Sequence, residues 1–109
     1  MSRPKSLVLP CTITLGGFSD ERVFRVELAD GGTHTGACHK QYCYTKVFQQ
    51  LKEGQPEKGK SIDGYVLAMA IREEDDGTTL VSVPDAEVIL VKTGRIKEAP
   101  KELPLDVLV

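Results

Sequence analysis

Residues 64–94 constrain this chain more than any other stretch. They read as three strands, 65–71, 78–83 and 87–92, joined by two tight turns. Glu73-Glu74-Asp75-Asp76-Gly77 is an acidic hairpin tip, and Asp-Gly suits the positive-φ turn that links twisted strands. Pro84-Asp85-Ala86 makes the second break, because proline cannot donate to a sheet ladder and aspartate favours turns. The first strand is apolar on both faces. Tyr65, Leu67, Met69 and Ile71 are large and alternate with the small Ala68 and Ala70. Alternation predicts the bulky set in the core and the small set beneath a covering helix. A helix over 64–75 is the rival reading, since Ala, Leu, Met, Arg and Glu all favour one. It would place four acids at a helix C-terminus, where the macrodipole is already negative.

The meander needs a counterpart, and the first half of the chain supplies it. Residues 6–15 alternate, with Leu7, Leu9, Cys11, Ile13 and Leu15 on one face. Pro10 suits an edge position or a bulge. Residues 22–28 form a second strand, with Phe24, Val26 and Leu28 inward and Arg25 and Glu27 outward. Ala29-Asp30-Gly31-Gly32 turns the chain into a third strand, 33–39. The period then changes. Thr45 caps a short helix over 46–53, with Val47, Phe48 and Leu51 as its stripe and Gly54 at its end. A solvated loop, 54–60, leads into the meander.

The order β-β-β-α-β-β-β predicts a mainly β protein: a small antiparallel β-barrel of about six strands, OB-like or SH3-like, with one short helix between strands three and four. At 109 residues the chain suits a single domain able to bury a core without staples. The barrel domain is expected over 1–97, followed by a C-terminal extended tail, 98–109. No internal repeat or family motif stands out.

A net charge of −2 gives nucleic-acid binding no global electrostatic support. Three cysteines, an odd number without a regular framework, fit a reducing compartment and a cytoplasmic location. No stretch approaches the roughly 18 apolar residues of a membrane span. Pro10 cuts the run Leu7-Val8-Leu9 too early for a signal-peptide core.

The densest chemistry lies at His34-Thr35-Gly36-Ala37-Cys38-His39-Lys40-Gln41-Tyr42-Cys43. Thiolate and imidazole are preferred zinc ligands, so His34, Cys38, His39 and Cys43 are the candidate metal ligands. Their spacing is unfavourable. Residues four apart in a strand lie ~13 Å apart, from ~3.3 Å of rise each, and Cys38 and His39 face opposite sides. A zinc site therefore needs a turn within the cluster, with Cys11 joining from the first strand. No CxxC pair, phosphate loop or paired-carboxylate signature is present, and no catalytic residue, cofactor or small-molecule substrate is assigned.

Charge divides along the chain. Lys40, Lys46, Lys52, Lys58 and Lys60 make the helix region positive, and the acids of 63–87 make the meander negative. Tyr42 and Tyr44 could stack on bases, which makes a single-stranded nucleic-acid binder one alternative function and a zinc-binding domain another. The last strand is the stronger signal. Val88, Ile89, Leu90 and Val91 are apolar on both faces, where a half-solvated strand normally alternates. In an extended tail, Leu105, Val107 and Val109 share one face and can add to an exposed edge. These seven residues are the candidate interaction surface. The expectation is a non-enzymatic β-barrel interaction module that acts through protein contacts or self-assembly as a homo-oligomer.

Overall fold

The computed structural model of the chain describes residues 7–99. Eight strands occur there: β1 Leu7–Leu15, β2 Glu21–Glu27, β3 Thr33–His39, β4 Cys43–Thr45, β5 Ile62–Glu73, β6 Thr78–Ser82, β7 Val88–Lys92 and β8 Lys97–Glu98. All pair antiparallel. Six follow one path, β3-β2-β1-β5-β6-β7, while β4 adds to β5 and β8 adds to β1. The sheet curls into a nearly closed barrel. The meander is present as β5, β6 and β7, and residues 64–75 are strand and turn rather than helix.

Sequence alternation accounts for most of the core. Leu9, Cys11 and Ile13 from β1 meet Phe24 and Val26 from β2, Val66 from β5, Val81 from β6 and Ile89 and Val91 from β7. β1 is the hub. It pairs with β5 from Leu7 to Ile13, and on its other flank with β8 at Leu7 and Val8 and with β2 at Thr12 to Leu15. Pro10 stands where that second flank is uncovered, so the edge that a proline requires exists locally within a central strand.

The expected helix over 46–53 does not form. Among the described residues the only helical pieces are 3-10 turns, Lys40–Tyr42 and Thr93–Arg95. Thr45 does cap, but it caps a tight turn: Gln49 N donates to Thr45 Oγ1 (3.1 Å), and Phe48 N donates to the Thr45 carbonyl (2.9 Å). Phe48 sits at φ 61°, outside any right-handed helix. Eight residues nucleate a helix poorly without a packed stripe. Here only Leu51 enters the core, Val47 is exposed and Phe48 stacks on Tyr65 at 4.5 Å.

A buried arginine holds this segment in place. Arg22 shares its strand face with Phe24 and Val26 and is fully buried. Its Nε donates to the Gln55 carbonyl (2.7 Å) and Nη2 to that of Lys52 (3.1 Å). Nη1 donates to the carbonyls of Ser19 (2.9 Å) and Glu21 (2.8 Å). A forked cation thus ties the 46–60 connection to the start of β2 through carbonyl dipoles.

The facing of β5 is the reverse of the expected one. Gly64 and Val66 are buried, whereas Met69 and Ile71 are exposed. The inner face is the small one because its neighbour β4 approaches so closely at Gly64. A side chain at Gly64 would collide with the Tyr44 carbonyl oxygen and come within 3.0 Å of Ile13 Cδ1. The outer Tyr65 is covered by Phe48 and by the Lys97 ammonium, 5.7 Å from the ring centre, rather than by a helix. A register shift between Ala70 and Arg72 then leaves Ile71 as the extra residue of a bulge.

Candidate functional site

β3 and β7 end the sheet path, and the seam between them is closed by few contacts. Ala29 N, in the β2–β3 turn, donates to the Leu90 carbonyl (2.9 Å). His34 Nε2 donates to Asp85 Oδ2 (2.8 Å), linking β3 to the β6–β7 turn, with the two side chains 19% and 15% exposed. Gly36 makes room for this latch, since a Cβ there would strike the Asp85 carboxylate and lie 2.7 Å from Phe24 Cζ. The remaining carboxylate oxygen, Asp85 Oδ1, is buried without a hydrogen-bond partner among the described residues.

The four candidate metal ligands are divided among three environments. His34 is engaged by Asp85. His39 lies on the opposite, exposed face of β3, where its Nδ1 accepts from Gln41 N (3.1 Å) and Nε2 lies 4.0 Å from Asp20. Cys38 and Cys43 meet, their sulfurs 3.6 Å apart across the Lys40–Tyr42 turn. Among the described residues no group of three or more His, Cys, Asp or Glu side chains is arranged to hold a metal ion. The neighbouring Cys43 thiol, then burial, pushes the Cys38 thiol well above its ordinary range. Burial first, then Cys38, pushes Cys11 up to about 12. Both groups are neutral thiols at physiological pH.

The lysine-rich side carries less free charge than its sequence suggests. Lys40 pairs with Asp20 (3.3 Å), Lys46 with Asp63 (3.6 Å) and Lys60 with Glu57 (3.4 Å). Tyr44 is fully buried, so it offers no ring for base stacking. Burial also raises its phenol pKa. A groove of about 480 Å³ opens over β1, β2 and β5, and the side chains facing it, Arg25, Glu27, Lys46, Asp63 and Arg95, mix both charge signs.

The candidate interaction strand resolves into two faces. Ile89 and Val91 belong to the core, while Val88 (54% exposed) and Leu90 (38%) point outward. They are not alone there. Val88 lies opposite Ser82, which lies opposite Met69, itself 70% exposed, and Leu90 lies opposite Leu80. Met69, Leu80, Val88 and Leu90 therefore form one apolar patch on the outside of β5, β6 and β7. Sequence reasoning placed Met69 inside. The parity of Val66 with the obligatory Gly64 was the available signal. Leu105, Val107 and Val109 lie outside the described residues.

Fold and surface together define a class: a small antiparallel β-barrel with an apolar outer sheet face beside a lightly closed seam. No family model, curated protein or solved structure matches the chain.

Proposed function

We propose that this protein is a non-enzymatic β-barrel interaction module, and that the occupant of its outer face is the chain's own C-terminal segment, 101–109, from the same molecule or a neighbouring copy. The observation that carries this reading is the outward patch of Met69, Val88 and Leu90 at the open end of the sheet path. On the outer edge of β7 the Leu90 carbonyl is taken by Ala29 N of the β2–β3 turn, so an added strand would pair at the other ladder positions of that edge. The segment has matching chemistry: Leu103, Leu105, Val107, Leu108 and Val109 are all aliphatic.

Its reach is sufficient. Glu98 lies opposite Leu7, and Leu7 opposite Ala68, so the chain leaves β8 four strand spacings from β7. Four spacings are ~19 Å. The eleven residues after Glu98 can extend to roughly 36–40 Å. Burial of Leu105, Val107 and Val109 would contribute about 1.5–3 kcal/mol each, and ladder bonds offset the ordering entropy of the segment.

The non-enzymatic part rests on the state of the would-be nucleophiles. Cys11 and Cys38 are held as neutral thiols, and His34 is committed to Asp85. Three unbonded cysteines suit a reducing compartment such as the cytoplasm. The test is deletion of 101–109, followed by light scattering and thermal unfolding. Docking within one molecule lowers the melting temperature; docking between copies lowers the solution mass. Leu90→Glu should reproduce whichever change occurs. If the deletion alters neither mass nor melting temperature, the proposal is overturned.

A further inference from the structure

The meeting of Cys38 and Cys43 is an outcome that strand geometry alone does not provide. Five residues of continuous strand would separate them by ~16 Å. The 3-10 turn Lys40–Tyr42 makes the corner between β3 and β4 and brings the two sulfurs to 3.6 Å. A disulfide needs an S–S length of about 2.05 Å, so the two sulfurs must close further from this contact for a bond to form. The two residues differ in access. Cys38, at the end of β3, is partly exposed, whereas Cys43 is fully buried beside Val66 of β5. Cys11 is buried in β1 and, among the described residues, makes no comparable sulfur contact.

We infer that Cys38 and Cys43 are a reversible oxidation site, forming an intramolecular disulfide by exchange with a low-molecular-weight disulfide. The order of events follows from access. Cys38, as thiolate, attacks one sulfur of the oxidant RSSR, forming a mixed disulfide and releasing one RS⁻. Cys43 then attacks Cys38 Sγ, forming the internal S–S bond and releasing the second RS⁻. The two thiol protons go to the two released thiolates, so two protein thiols are oxidised and one small disulfide is reduced to two thiols. Because the Cys38 thiol is neutral at physiological pH, the first step is slow there and accelerates as pH rises. The bridge would close residues 38–43 covalently around the corner that joins β3 to β4. It is independent of the docking proposed for the outer face.

The experiment uses the full chain, reduced, freed of reductant and incubated folded with oxidised glutathione at pH 8, then alkylated under denaturing conditions. The expected result is a loss of about 2 Da, a fall from three alkylated cysteines to one, and a Cys38–Cys43 cross-linked peptide with Cys11 alkylated. Reductant should restore all three. Cys43→Ser should stop the reaction at one glutathione on Cys38, Cys38→Ser should not react, and Cys11→Ala should still form the bridge. Three alkylated cysteines after prolonged oxidation, a bridge that includes Cys11, or a wild-type chain that stops at the glutathione adduct each overturns the inference. The wild-type measurement decides the question even if a serine variant fails to fold.

Discussion

Replacing Arg22 with methionine keeps a long side chain in the barrel wall but removes four hydrogen bonds to backbone carbonyls. Two of those carbonyls keep another donor. Glu21 O also accepts from Gly16 N (3.0 Å), and Lys52 O from Gln55 N (3.0 Å). The carbonyls of Ser19 and Gln55 lose the guanidinium that binds them. A buried acceptor left without a partner costs ~1–3 kcal/mol, so two represent about 2–6 kcal/mol. Removing a buried cation returns part of that by ending its desolvation. A net loss of about 2–4 kcal/mol is expected from those terms. In a domain of this size the melting temperature should fall by roughly 10–30 °C, at ~4–8 °C per kcal/mol. Arg22→Lys should lie between wild type and methionine, because an ammonium is a point donor and cannot span Ser19 on one side and Gln55 on the other. Thermal and urea unfolding followed by circular dichroism measures the loss. Limited proteolysis should show new cleavage within 46–60, the segment the guanidinium ties down. A methionine variant that melts within about 2 °C of wild type and resists protease equally would refute the assignment of Arg22 as the clamp.

Gly64→Ala should destabilise by about 1–3 kcal/mol, because the new methyl meets the Tyr44 carbonyl, a backbone atom that cannot rotate away. Gly94→Ala, whose Cβ would enter open space, should stay within about 0.5 kcal/mol; equal chemical denaturation curves for the two would contradict the tight β4–β5 approach. Cys11→Ser should cost about 1–3 kcal/mol for a buried hydroxyl, against roughly 0.5 or less for the exposed Lys58→Ala. Burial raises the folded-state pKa of both Cys11 and Tyr44. Their contribution to stability is therefore complete below their unfolded values; that of Cys11 is lost as pH rises from 9.0 through about 12, and that of Tyr44 begins to be lost above 10.0. Urea midpoints that stay level across that window, or a Tyr44→Phe variant with an unchanged alkaline limb, would contradict the burial of these groups.

Much of the barrel is legible in the sequence because strand facing is a local property. A period of two in 7–15 and 22–28 marks Leu9, Cys11, Ile13, Phe24 and Val26 as core, and each is buried. Turn chemistry is equally local: Gly77 takes φ 85° at the acidic tip, where Asp76 Oδ1 accepts from Thr78 N at 3.1 Å. The charge on Arg22 obscured a signal of the same kind, since its parity with Phe24 already pointed it inward. Three features were decided by the tertiary structure alone. Which face of β5 turns inward depends on how closely the Tyr44 carbonyl passes over Gly64, a distance that no run of five or ten residues encodes. Residues 46–53 carry a helical stripe, yet the carbonyls of Lys52, near its end, and Gln55, just beyond it, are claimed by a guanidinium 30 and 33 positions away in sequence. The His34–Asp85 latch joins residues 51 apart, and it exists only once the curl of the sheet brings its first and last strands together. Alternation and turn residues act over a few bonds and can be read in order. Contacts across the seam follow from how many strands close the barrel and at what register, and these become definite only when the whole sheet has formed.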